Sequence, residues 1–541
     1  MSIDVRPESD SEVRARGNKT TPLPPGAFGL DHVPTASAWL LRTSRLLGSA
    51  AEYSSVSRFA AAFRGGTCPT SLDASRVSRT ETGALPLNYR VVRRYEELLG
   101  RTPGQLVTPL DTLNRFFGAE PVSAPRLARP ASPLDPAGHA HLAGIVERVR
   151  YDDIVTGQDW DDLTGFLATR PDAVLLHPCG PQELADRLLA EMIVADGLSW
   201  AQRYEAFSRM LGHPVFQAAA VEACGNLAAD RSNQVFVDTL SILDASTHPD
   251  SVRHLTNQIV DPVNDRAFLG ALLGCIRKAR RGDFDPDHAR TVAGVLIDLV
   301  NDAAAPAEIR RLASDVLDPW RRVPRTHPGD RSFASASAAS QLGAALHQRV
   351  LGSDLPGLAH LHDPVLPVLL EQVLSHPHLD ARLSISLLLH ASPYRAVVAD
   401  AAARELERPA VRVDDQVAGP LLGLVRLLGS AEHAAVVQGL VTDTTVEPGV
   451  REAAAFALGH VDVGASDPFW RQAVDLHATE WARRRDQTSS TMLSGLVYSM
   501  GVLGHEQLLR DVRSGTSPAP ARRAAGWWAN LSTAVTASVR A

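Results

Sequence analysis

PGVREAAAFALGHV, residues 448 to 461, decides the fold class. Its spacing puts Val450, Ala454, Ala457, Leu458 and Val461 on one stripe of an α-helix. Pro448 opens that helix at little cost, because the first turn has no internal use for an N–H. Gly459 is expected to end it.

The same grammar recurs outward from this stretch. Pro306, Pro377, Pro448 and Pro518 each open a helical segment, at intervals of 71, 71 and 70 residues. Further helices are expected to begin near Gln341, Asp414 and Arg484, close to the midpoints, and upstream Pro214 and Pro249 stand 35 residues apart. LVRLLGSAEH (424 to 433) and SMGVLGHEQ (499 to 507) each close a helix with Leu-Gly and start another within a few residues, which is the pattern of a helical hairpin. A hairpin of this size cannot bury its apolar face alone, so neighbours must stack, and a curved solenoid follows. An irregular helical bundle with chance spacing is the competing reading.

VREAAAFALGHV resembles the second-helix pattern of the HEAT and armadillo-like repeat families, and HPVFQAAAVEACGNL (213 to 227) and SPAPARRAAGWWANL (517 to 531) match it more loosely. The resemblance spans most of residues 205 to 541 and implies an all-α fold with a C-terminal α-solenoid that holds protein partners.

Composition agrees. The chain has 541 residues, too many for one compact core. Only 5% are aromatic, in a sequence rich in Ala, Leu and Val, which favours close helix-on-helix packing over sheets. Lys19 and Lys278 are the only lysines among 54 basic residues; this arginine bias fits a GC-rich bacterial genome and has no functional reading of its own. Charge is unevenly placed. Residues 38 to 107 hold ten arginines and five acidic residues, a balance of +5 within a chain of −7, so the rest carries −12. A basic module sits on an acidic body.

The expected organisation is a mobile tail over 1–35, a DNA-binding domain over 36–120, a Pro-rich linker over 121–137, a helical, HEAT-like region over 138–322, a loop over 323–340 and HEAT-like repeats over 341–541. The four cysteines are too far apart for a zinc site or a compact disulfide framework. The chain has neither a signal-like apolar stretch at its start nor a run of eighteen apolar residues, so a cytoplasmic protein without membrane contact is expected.

LDASRVSRTETGALPLNYRVVRRYEELLGRTPGQLV, residues 72 to 107, is the most specific motif. Asp73 or Ser75 can cap a short helix, Val77 anchors it inward, and Gly83 ends it. Its exposed face then offers Ser75, Arg76 and Arg79. After a turn containing Pro86, the next helix turns Val91, Val92, Tyr95, Leu98 and Leu99 inward and leaves Arg90, Arg93 and Arg94 free to reach outward. A short helix of this kind fits the major groove, where arginine reads guanine and serine makes smaller contacts.

The stretch resembles the lambda-repressor-like, Xre-type helix-turn-helix family, whose recognition helix has the form S-x-x-V-S-R-x-E-x-G. DASRVSRTETG and RRYEELLGRTPGQL supply those elements. The resemblance implies that Ser75, Arg76, Ser78 and Arg79 face the groove beside the capping Asp73, and that Tyr89 and Arg90 approach the backbone of double-stranded DNA. Two earlier segments, SAWLLRTSRLLGSAAE (37 to 52) and SVSRFAAAFRGG (55 to 66), would supply the preceding helices. GTCPTSL makes the join to the recognition helix longer than the family's, which leaves the angle between them open. A helical cap on the solenoid with solvated arginines is the alternative.

Phosphate loops, dinucleotide fingerprints, nucleophile elbows and zincin motifs are absent, so neither enzymatic activity nor a cofactor is expected. His139 with His141, His360 with His362 and His376 with His378 lack a cysteine or acidic cluster and read as solvated or capping residues. WARRRDQ (481 to 487) reads as a solvated helix face, or as a second phosphate site, and Trp527 with Trp528 as a cap on the array. Two functions follow: a sequence-specific transcriptional regulator, with dimerisation as the route by which two recognition helices would meet a palindrome, or a HEAT-repeat scaffold of a bacterial defence or signalling system. A HEAT-like repair enzyme fits the acidic body poorly.

Overall fold

The computed structural model describes residues 32–66, 70–117, 127, 129, 136–170, 180–321, 333–461, 464 and 466–541. These residues form helices and connecting turns, and none of them forms a strand. None of the described helices is long and apolar enough to cross a membrane. The expected tail lies outside the described residues as far as residue 31, and the first helix, Val33–Leu46, begins just after it.

Local chemistry sets the helix ends. Pro448 is the first residue of Pro448–Val461, while Pro306 and Pro518 stand one residue before Ala307–Leu317 and Ala519–Ala529. The half-way helices start at side-chain caps: the Asp414 carboxylate accepts from Gln416 N at 3.0 Å, and that of Asp486 from Ser489 N at 2.9 Å. Leu-Gly closes Asp415–Leu428 and Gln487–Leu503, the second through Gly504 at φ +77°, a left-handed conformation that suits glycine.

Gly459 behaves otherwise. The helix runs through it to Val461, and its N–H donates to Ser499 Oγ of the neighbouring helix at 2.9 Å. A Cβ there would stand 3.0 Å from Ser499 Cα, so this glycine permits close packing and ends nothing. The loop expected over 323–340 is also corrected, because Phe333–Leu351 is a single helix. Its alanines are the best helix formers and outweigh the serines between them.

In the second half, Arg395–Leu406, Asp415–Leu428, Pro448–Val461, Gln487–Leu503 and Ala519–Ala529 pack side by side in sequence. Ala434–Thr442, Asp467–Arg484 and Glu506–Ser514 form a second layer, each lying on the helix that follows it. Leu458 and Val450 are fully buried between the layers, each contributing on the order of 1.5–3 kcal/mol. Trp527 and Trp528 are buried at the end of the series, and the Trp528 indole fills the space over Gly501.

The series then turns back on the first half. The last helix, Thr533–Arg540, packs on Pro181–Val194. Ser538 Oγ accepts from Val155 N at 3.0 Å, and Arg203 Nη2 donates to Ser538 O at 2.9 Å and to Val155 O at 2.8 Å. His460 Nδ1 lies 2.9 Å from Asp196 Oδ2 on the same side.

A buried ion network ties the N-terminal helices to this body. Arg115, on Val107–Phe117, pairs with Glu205 at 3.0 Å and Asp244 at 3.3 Å. Arg277, on Asp265–Arg281, pairs with the same Asp244 at 3.1 Å and with Asp380 at 2.6 Å. Trp39 stacks on Tyr394, and both donate to Asp363, at 2.8 and 3.0 Å.

Candidate nucleic-acid interface

Five helices build the candidate interface: Val33–Leu46, Val56–Ala62, Ala74–Thr80, Tyr89–Leu98 and Val107–Phe117. Phe59 centres their aromatic core, with edge-on contacts to Tyr53, Phe63 and Tyr95 at 5.4, 5.5 and 4.8 Å between ring centres. Ala74–Thr80 packs on Val56–Ala62 and turns Val77 and Thr80 inward. Asp73 caps it, its carboxylate accepting from Arg76 N at 2.8 Å.

Glu81, the residue after that helix, fixes it in place. Its two carboxylate oxygens accept from Arg45 Nε and Nη2, both at 2.6 Å, and Tyr95 OH donates to it at 2.9 Å. Arg45 also donates to the Tyr53 and Ser54 carbonyls at 2.8 Å. Burial alone would lower the Arg45 pKa, but the hydrogen bonds and charge of Glu81 outweigh it and hold the guanidinium firmly charged. Burial first, then the Glu81 charge, push the Tyr95 phenol well above its usual range, so it stays a donor. Gly83 follows at φ +74°, where a Cβ would lie 3.2 Å from Pro34 O.

The outer face is left to solvent. Ser75, Arg76 and Arg79 are exposed, and neither guanidinium has a partner among the described residues. Ser78 is half-buried and Asp73 exposed. Arg90 is exposed at the start of Tyr89–Leu98. Tyr89 is half-buried, with the Arg129 guanidinium 5.0 Å from its ring centre. Arg129 is in turn bound to Asp161 Oδ1 at 2.5 Å, which makes Tyr89 part of the seam with the body.

Arg93 and Arg94 correct the expectation that they reach outward. Arg94 donates to the Ala62 and Phe63 carbonyls at 2.7 and 3.2 Å, closing the C-terminal end of Val56–Ala62. Arg93 pairs with buried Glu96, whose carboxylate accepts from Gly104, Leu106 and Val107 N at 3.1, 2.6 and 3.0 Å, capping Val107–Phe117. Burial raises the Glu96 pKa in spite of Arg93 and these N–H groups.

Arg58 and Arg64, on and just after Val56–Ala62, are exposed as well and escaped the motif reading, whose only signal for them was the local excess of arginine. Part of the long join, residues 67–69, lies outside the described residues. No group of three or more His, Cys, Asp or Glu side chains able to hold a metal occurs among the described residues. Cys68 and Cys179 lie outside them, while Cys224 and Cys275 are buried, burial pushing the Cys275 thiol up to about 12. In WARRRDQ, Arg485 stands 4.3 Å over the Trp481 ring and Arg484 pairs with Asp486 at 2.7 Å. Comparison of the chain with protein-family models and with curated proteins finds no match.

Proposed function

We propose that this chain is a sequence-specific, DNA-binding transcriptional regulator of the cytoplasm. An Xre-type helix-turn-helix module, with Ala74–Thr80 as its recognition helix, is carried by a HEAT-like body that engages protein partners. The observation behind this reading is the division of Ala74–Thr80 into two faces: Val77 and Thr80, with Glu81 beyond them, are buried, while the Arg76 and Arg79 side chains are exposed and unpaired. Arginine held ready on a fixed short helix suits guanine in the major groove. Arg58, Arg64 and Arg90 add charge for phosphates, and no cofactor or enzymatic step is required.

The seam favours a second reading. Trp39, Arg115 and Arg129 lock the module to the body, as a non-enzymatic adaptor would use it for support. Salt separates the two. A regulator binds its own upstream DNA, or a sequence selected from a randomised pool, with an affinity that falls steeply and log-linearly as salt rises. Failure to select any sequence at low salt supports the adaptor.

A further inference from the structure

The second half of the chain faces Asp265–Arg281 across a polar cleft. Arg266 enters from Asp265–Arg281 and lies 4.1 Å over the Phe456 ring, which is seated against Gly495, where a Cβ would stand 2.9 Å from it. Arg426 enters from Asp415–Leu428 and donates to Tyr498 OH at 3.4 Å. Neither arginine forms an ion pair among the described residues, unlike Arg115, Arg203 and Arg277 nearby.

The acids around them are already occupied. Asp196 is held by His460 at 2.9 Å and by Gly197 N at 2.6 Å, and Asp238 accepts from the Trp200 indole. Glu452 feels the Arg266 charge without pairing with it, and burial raises its pKa toward the neutral form. Space is available too: Gly419 and Gly423 share a helix face with Arg426, and a Cβ on either would meet nothing within 4 Å.

We propose that this cleft binds a small organic anion, a carboxylate or phosphate, with Arg266 and Arg426 as its two clamps and Phe456 and Tyr498 as its walls. Guanidinium groups held over aromatic rings and left without carboxylate partners are arranged for planar, bidentate oxyanions. The site also connects to the module. Arg266 and Arg277 lie on one helix, about 16 Å apart along its axis, and Arg277 shares Asp244 with Arg115 of Val107–Phe117. The proposal does not depend on DNA binding.

The test is thermal-shift and calorimetric titration of the full chain with pyrophosphate and with citrate, in metal-free buffer at fixed ionic strength. The variants are Arg266→Gln, Arg426→Gln and Gly423→Glu, with Arg483→Gln as a distant exposed control. Gly423→Glu places a carboxylate in open space beside Arg426 and disturbs no packing, so it keeps the test decisive where an arginine variant fails to fold. Saturable binding of either probe, unchanged in the control and weakened about tenfold or more in each folded cleft variant, is the expected result. The probe that binds identifies phosphate or carboxylate as the preferred group. No saturable binding of either probe by the unaltered protein, or binding that survives the folded cleft variants, overturns the proposal.

Discussion

Arg76 and Arg79 on one side of the molecule, and Arg115 and Arg277 on the other, put the same side chain to opposite uses. The first two stand in solvent on a seven-residue helix with no partner among the described residues. The second two are buried and share Asp244, with Glu205 and Asp380 completing the set. Exposure and pairing separate them, and residue type does not. In a chain whose basic residues are almost all arginine, function has to be sought where an arginine is held in place by its helix and yet left unpaired.

The largest effect is expected in the buried set. Asp244→Ala strands the charges of Arg115, Arg277 and Arg281, and we expect a loss of about 3–5 kcal/mol in urea unfolding. A loss under about 0.5 kcal/mol would mean that the network contributes nothing to the join. Glu81→Gln, which breaks the latch behind Ala74–Thr80, is expected to cost about 2–3 kcal/mol and to weaken DNA binding without touching the exposed face. Retained DNA affinity would show that the helix needs no such support. Gly501→Ala sets a methyl group against the Trp528 indole, and overpacking should cost about 1–3 kcal/mol, read as a lowered Tm.

A pH series sharpens the picture at the seam. Asp111 accepts from Leu127 N at 3.3 Å and lies among Arg209, Glu205, Arg129 and Asp161. Burial raises its pKa from 3.8 to about 7, with Arg209 opposing. The folded chain therefore binds this proton more tightly than the unfolded one, and the group's contribution to stability falls as pH rises from about 4 to about 7. Asp161 works in a lower window: burial would raise its pKa, but Arg129 and Arg209 bring it down to about 2, so stability is lost there only as pH falls below about 4. Asp111→Asn should flatten the stability profile between about pH 4 and 7; an unchanged slope would place the proton elsewhere.

Features set by neighbours in sequence were legible from sequence. The Leu-Gly endings at Gly429 and Gly504, the Asp414 start and the Asp73 cap all depend on a few adjacent residues. Gly459 was not legible, because its role is set by Ser499, forty residues away. Nor was the division of Arg90, Arg93 and Arg94: helical spacing places all three near the surface, but the free carbonyls at Ala62 and Phe63 draw Arg94 inward and Glu96 holds Arg93. The return of Ser538 to Arg187, across 351 residues of sequence, has no local signature at all.

The most direct measurement is the affinity of the Arg76→Ala, Arg79→Ala double variant for the DNA that the unaltered protein selects, followed across a salt series beside its unfolding free energy. Both side chains are exposed and unpaired, so stability should change by less than about 0.5 kcal/mol. Affinity should fall by roughly 1–3 kcal/mol for each guanine that arginine no longer reads, and discrimination among sequences should fall with it. Full affinity and full sequence preference in a stably folded double variant would contradict the assignment of Ala74–Thr80 as the element that reads DNA.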